Sequence, residues 1–151
     1  MTPTRRSTAR VAAVALVLGV AAAGCGGGDG GAGGLSELTA DRRRMPSCGA
    51  YDAPPDGFRP DSPAEGRTAR ECFLSAFREG RESELSITVS SIEGDPITTI
   101  FRVLGPDDLE LFVDASADRF SAVKAYHQRC TTLAEEGAGL AAGGCTTLSE
   151  E

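Results

Sequence analysis

The sequence predicts an α+β domain in which one helix packs on an antiparallel sheet of three to four strands, tied by two disulfides. Three observations carry this. One run of apolar residues repeats at helical spacing, and the runs after it alternate apolar and polar residues with period two. The connections between the alternating runs are short and rich in Gly, Pro and Asp, which suits antiparallel neighbours. Four cysteines lie within the part of the chain that patterns as folded, Cys48 to Glu151, which is 104 of the 151 residues. That length supports one domain with one modest core.

The helix comes first. Ser62-Pro63-Ala64-Glu65 offers a capping hydroxyl, a proline for the first helical position and a glutamate three residues after the cap. Ala69, Cys72, Phe73, Ala76 and Phe77 then make one apolar stripe, and Gly80 is placed to end the helix in a left-handed conformation. Leu85–Ser90 alternates apolar residues with hydroxyls, the mark of a half-buried strand. Glu93-Gly94-Asp95-Pro96 is turn chemistry and predicts a tight hairpin. Ile97–Leu104 is the second strand, with Ile97, Thr99, Phe101 and Val103 on one face. Gly105-Pro106-Asp107-Asp108 is a further turn, and Leu109–Asp114 is the third strand.

Phe120–Leu133 admits two readings. Phe120, Val123, Tyr126, Cys130 and Leu133 suit a helix, while Lys124, Tyr126, Gln128 and Cys130 share one face of a strand. We take the strand, over Val123–Thr131. Gly137–Gly144 reads as an Ala/Gly-rich loop that returns the chain to Cys145.

The chain before Cys48 has a different character. Arg5, Arg6 and Arg10 precede Val11–Gly24, 14 residues without charge and ending in small side chains. Basic start, apolar run and small-residue end predict a signal peptide over residues 1–24. The run is shorter than the ~20 apolar residues of a membrane-spanning helix. Ala22-Ala23-Gly24-Cys25 resembles the lipobox of bacterial lipoproteins, with Ala22 in the position where Leu is usual. Cys25 is therefore the expected lipidation site, and a diacylglyceryl group would anchor the chain unaided. Gly26–Gly34 is a flexible linker spanning roughly 15–18 Å. The expected organisation is signal peptide 1–24, lipidated cysteine and tether 25–47, and a single extracytoplasmic domain 48–151. Within the tether, Arg42-Arg43-Arg44 reads as a solvated charge run or as a contact for anionic headgroups.

Removing residues 1–24 leaves 12 basic against 22 acidic side chains, a formal charge of −10. Such a surface repels phosphate backbones, so nucleic acid is not expected as a partner. With Cys25 lipidated, Cys48, Cys72, Cys130 and Cys145 are an even number in an oxidising compartment, which predicts two disulfides. Three pairings are possible. The two that close short loops are Cys48–Cys72 and Cys130–Cys145, and these are expected. Zinc is the competing use, but no C-x₂₋₄-C pair occurs.

The helix, the strands, E-G-D-P-I at Glu93–Ile97, D-x-x-x-D-R-F at Asp114–Phe120 and the two late cysteines together resemble a family of small bacterial lipoproteins of unknown function. The likeness runs over Cys72–Cys145. It implies an exported α+β domain with the last two cysteines paired. It implies no activity and no catalytic residue.

Little chemistry is legible beyond this. His127 is the only histidine, and hydrolytic triads and zinc sites generally need histidine with partners. No nucleophile-elbow, zinc-protease or phosphate-loop motif is present. Glu93 with Asp95, and Asp114 with Asp118, are the weak binding candidates, since paired carboxylates serve glycoside hydrolysis or hold calcium. As turn formers in an acidic chain they need no such role. Phe101, Phe112, Phe120 and Tyr126 could line a ligand pocket, although a small core needs its rings. The expectation is a non-enzymatic, lipid-anchored module on the outer face of the cell membrane. It needs no cofactor or metal and binds an envelope or extracellular protein or ligand. The alternatives are a binder of a small molecule or metal ion, and a carboxylate-dependent hydrolase.

Overall fold

The computed structural model describes residues 39, 42–56, 58–59 and 62–150. The signal peptide, Cys25 and the glycine linker lie outside the described residues.

The chain runs β1 (Ser47–Asp52), α1 (Ala64–Arg78), β2 (Ser83–Ser90), β3 (Pro96–Gly105), β4 (Asp108–Asp114), β5 (Ala125–Cys130), β6 (Thr132–Glu136), β7 (Gly139–Gly143) and β8 (Thr146–Glu150). Among the described residues, six strands form one sheet in the order β1-β2-β3-β4-β5-β8, and β6 and β7 form a second, two-stranded one. This corrects the expected antiparallel sheet of three to four strands. The main sheet is mixed, because β1 pairs with β2 in parallel. The helix makes that possible, since parallel neighbours need a long crossover. The meander β2-β3-β4-β5 is antiparallel, as the short β2–β3 and β3–β4 turns require of its first three strands.

The helix begins at Ala64 rather than Ser62. Pro63 occupies the cap position without a side-chain cap. The Ser62 hydroxyl instead accepts the Arg59 backbone N–H at 2.8 Å, inside the preceding turn. At the other end Gly80 has φ +61°. Its N–H donates to the Phe77 carbonyl at 3.1 Å, and that of Arg81 to the Ala76 carbonyl at 2.9 Å. This is the Schellman arrangement, which satisfies two carbonyls that the helix leaves unpaired. A Cβ on Gly80 would stand 2.7 Å from Pro106 Cγ, so glycine also lets the helix end rest on the β3–β4 turn.

The core forms where the helix meets the sheet. Ala69 and Phe73 pack on Leu85, Ile87, Phe101, Val103, Leu109, Leu111 and Cys130. Leu85 stands opposite Phe101, Phe101 opposite Leu111, and Val103 opposite Leu109, so the period-two pattern places them on one face. Each large side chain so buried contributes about 1.5–3 kcal/mol. Cys72 departs from the stripe: it is exposed, and it reaches Cys48 at the rim of the core. Both expected disulfides are present, Cys48–Cys72 with Cα atoms 5.7 Å apart and Cys130–Cys145 with Cα atoms 4.0 Å apart.

The opposite face carries a row of charges in register: Glu84 opposite Arg102, Arg102 opposite Glu110, Glu110 opposite Arg129. Arg102 is 4% exposed. It pairs with Glu110 and, at 3.3 Å, with Glu84, and it donates to the Arg43 carbonyl at 2.8 Å. Arg42 pairs with Glu84 at 3.3 Å, Arg43 with Glu82, and the Pro46 carbonyl accepts the Glu84 N–H at 2.8 Å. Residues 42–46 therefore lie along the sheet, and that part of the stretch expected to be tether belongs to the domain. The two arginines find carboxylates there rather than a solvated run.

Candidate functional site

On the helix side of the sheet, beyond the area that the helix covers, lies a cleft of about 470 Å³. Its floor is Ile87 and Val89 of β2 with Thr99 and Phe101 of β3. One wall is Ala53-Pro54-Pro55, where the chain leaves β1. The other is Glu136–Leu140, the tip of the β6–β7 hairpin.

Each wall is held in place. The Ala53 N–H donates to the Thr88 carbonyl at 2.8 Å, which fixes the start of the proline wall. The hairpin turns in two residues, Gly137 and Ala138, between the paired Glu136 and Gly139. Gly137 has φ +56°, the conformation a type II′ turn asks of its first central residue. From β1 the Tyr51 hydroxyl donates to the Ala138 carbonyl at 2.8 Å. From the helix Arg70 Nη1 donates to the Gly137 carbonyl at 2.9 Å, and its Nε stands 3.8 Å from Glu135. Arg70 also lies over the Phe58 ring at 4.9 Å. Burial pushes the Tyr51 phenol above its ordinary pKa, and the nearby positive charge of Arg70 opposes that shift. At the hairpin base the Cys130–Cys145 bond closes the loop, and the Thr131 N–H donates to the Gly143 carbonyl at 3.0 Å.

The lining decides what this cleft can hold. Most of its lining side chains are apolar, with Ser90, Thr99 and Glu136 as the polar ones, but with the backbone included the surface it exposes is somewhat more polar than apolar. Among the described residues none of the lining side chains is basic. Its volume lies within the ~300–1,000 Å³ of ligand sites. The walls are fastened before any ligand arrives, so little ordering cost remains for binding.

The four carboxylates singled out in the sequence lie elsewhere, at the end of the sheet where β2 meets β3 and β4 leaves for β5. Glu93 is exposed, and its N–H donates to the Ser91 hydroxyl. Asp95 accepts the Arg119 N–H at 3.5 Å and faces the Arg119 guanidinium at 3.5 Å. Asp114 accepts the Ser116 N–H at 2.9 Å, and Asp118 the Phe120 N–H at 2.9 Å. Apart from the Asp95–Arg119 contact, which links two connections 24 residues apart, these are the hydrogen bonds of turns. Among the described residues no group of three or more His, Cys, Asp and Glu is placed to hold a metal ion.

The aromatic candidates separate. Phe101 lines the cleft and also packs edge-on to Phe73 at 6.1 Å. Phe112 and His127 stack at 4.2 Å on the charged face, where His127 Nε2 is 2.9 Å from Glu110 Oε1. Phe120 is 72% exposed and Tyr126 is half-buried. The hairpin wall was not foreseen, because Gly137–Gly144 reads as loop. The signal in the sequence was glycine as the first of two residues between short runs. No family model, curated protein or solved structure matches the chain.

Proposed function

We propose that this chain is a lipid-anchored extracytoplasmic lipoprotein whose folded domain is a non-enzymatic binding module for a small ligand. The signal-peptide pattern and Ala22-Ala23-Gly24-Cys25 support the anchor, in keeping with the resemblance to small bacterial lipoproteins. The observation that carries the binding reading is the cleft between the proline wall and the hairpin tip. Ile87, Val89 and Phe101 on its floor suit an apolar part of a ligand, and the polar surface beside them suits a polar part. Glu136, the one charged side chain on the lining among the described residues, favours an uncharged or cationic ligand over an anionic one.

The test uses N-phenyl-1-naphthylamine, a neutral apolar fluorophore, titrated into the purified protein. Saturable enhancement at one site per chain is expected. Val89 is 39% exposed on the cleft floor, so Val89→Arg fills the cleft without disturbing the core. It should abolish the enhancement while leaving the melting temperature unchanged. Enhancement that never saturates, or that survives Val89→Arg, overturns this use of the cleft.

A further inference from the structure

Two large apolar side chains stand in water on the connections at one end of the sheet, the first of them just past Ser90 of the cleft lining. Ile92 is 99% exposed and Phe120 is 72% exposed. Ile92 belongs to the Ser91–Asp95 turn between β2 and β3, and Phe120 to the connection between β4 and β5. These are the two stretches, E-G-D-P-I and D-x-x-x-D-R-F, that the cleft leaves without a use. The fold joins them. Arg119 reaches Asp95 through both its N–H and its guanidinium, and below the turns Thr98 stands opposite Asp114.

Neither tip is loosely built. The Ser91 hydroxyl accepts the N–H groups of Glu93 and Asp95, and the Gly94 N–H donates to the Ser91 carbonyl. Asp118 accepts the Phe120 N–H, Lys124 donates to the Asp118 carbonyl, and the Arg119 guanidinium lies 5.8 Å from the Phe120 ring. Single exposed apolar residues are ordinary on a protein surface. Two on connections tied to each other through Arg119 and Asp95, at positions where polar residues serve turn geometry better, are apolar side chains that folding does not use. Around them stand Glu93, Asp95, Asp114 and Asp118 against Arg119 and Lys124, so the rim is acidic.

We propose that this end of the sheet docks a protein partner that offers an apolar pocket for Ile92 and Phe120 within a basic rim. Charge decides between occupants. An anionic bilayer would meet the acidic rim with repulsion. A second copy, joined about a two-fold axis, would set the same acidic rim against itself. A basic-rimmed protein pocket complements both the apolar tips and the charge. The inference is independent of the cleft.

The experiment places a photoreactive benzoylphenylalanine at position 92, at 120 and, as a control on exposed β8, at 147, in the full-length protein in intact producing cells. The expected result is one and the same protein adduct from 92 and 120, none from 147, and at least a threefold loss of that adduct in Glu93→Lys. Ile92→Ser and Phe120→Ser should melt at the wild-type temperature, which shows that the tips carry no core. Lipid adducts, a homodimer adduct, different adducts from the two tips, no adduct, or one indifferent to Glu93→Lys each overturns the proposal.

Discussion

Replacing Cys130 and Cys145 together by alanine cuts the bond that closes the base of the β6–β7 hairpin. The two cysteines are 15 residues apart in sequence. Closing a loop of that length removes about 3 kcal/mol of chain entropy from the unfolded state. Cys130 is fully buried and stands opposite Leu109, so losing its sulfur adds a packing loss of the same sign. Against a total stability of about 5–15 kcal/mol, a loss of about 3 kcal/mol is large. It should lower the melting temperature of a domain this size by about 12–24 °C. The loss should also be uneven. A two-stranded hairpin is marginal by itself in water. Without the staple, β6 and β7 depend on the packing of Leu133, Leu140 and Ala142 against the core and on Tyr51, Arg70 and the Thr131–Gly143 hydrogen bond. Amide hydrogen exchange over Thr132–Glu136 and Gly139–Gly143 should accelerate more than the fall in global stability accounts for. The comparison is Cys48→Ala with Cys72→Ala, which opens a 24-residue loop and costs about as much globally. It should leave the hairpin no less protected than the rest. Thermal unfolding by circular dichroism and exchange by mass spectrometry measure both effects. A melting shift under about 4 °C for the Cys130/Cys145 variant would contradict the loop arithmetic. Equal hairpin acceleration in the two variants would contradict the staple.

Three further outcomes are expected. Arg102→Ala leaves Glu84 and Glu110, 20% and 16% exposed, facing each other without their shared cation. It should cost about 3–5 kcal/mol in urea unfolding, and a cost under about 1 kcal/mol would show that water already screens the row. Gly94 has φ +87°, and a Cβ built there meets nothing within 4 Å. Gly94→Val should therefore destabilise by about 1 kcal/mol or more through backbone strain alone, and an unchanged melting temperature would refute that account. Cys25→Ala should leave the chain unprocessed or move it from the membrane to the soluble fraction, while mass spectrometry of the wild type shows an acylated Cys25. An unmodified mature N-terminus would end the anchor reading.

The strands that proved legible were those with one buried face. Leu85 and Ile87, Phe101 and Val103, Leu109 and Leu111 each alternate with less buried or oppositely facing neighbours, and burial is what makes a period of two visible. β8 is exposed along its whole length, so Thr146–Glu150 has no buried face to produce an alternation. β1 was hidden for a related reason. It is a mostly exposed edge strand, and its pairing with β2 depends on a helix crossing between them. The disulfides were legible because short loops leave few pairings to choose from. Arg102 was not. An arginine in an apolar run reads as a solvated side chain. Only the register that sets it between Glu84 and Glu110, with the Arg43 carbonyl above, makes its burial tolerable. The cleft was illegible for the same kind of reason, since its floor and two walls come from three separate segments.

Tyr51 gives that cleft a measurable dependence on pH. Its hydroxyl holds the hairpin wall by donating to the Ala138 carbonyl, and only the protonated phenol can donate. Burial raises the phenol pKa in the folded protein above its ordinary 10.0, and Arg70 offsets part of the rise. The native state thus keeps this proton longer than the unfolded chain does. The stability Tyr51 contributes is complete below pH 10 and is lost as pH rises through the folded-state value. The chain has two tyrosines and no tryptophan, so tyrosinate absorbance near 295 nm reads the titration directly. A late-titrating component should be present in the wild type and vanish in Tyr51→Phe. Exchange of the hairpin amides should rise steeply over the same pH range in the wild type. In Tyr51→Phe, which lacks the hydroxyl at every pH, the hairpin should already exchange faster at pH 7, and no additional rise should accompany the alkaline range beyond the intrinsic one. If the wild-type hairpin follows the intrinsic curve through that range, Tyr51 does not hold the wall.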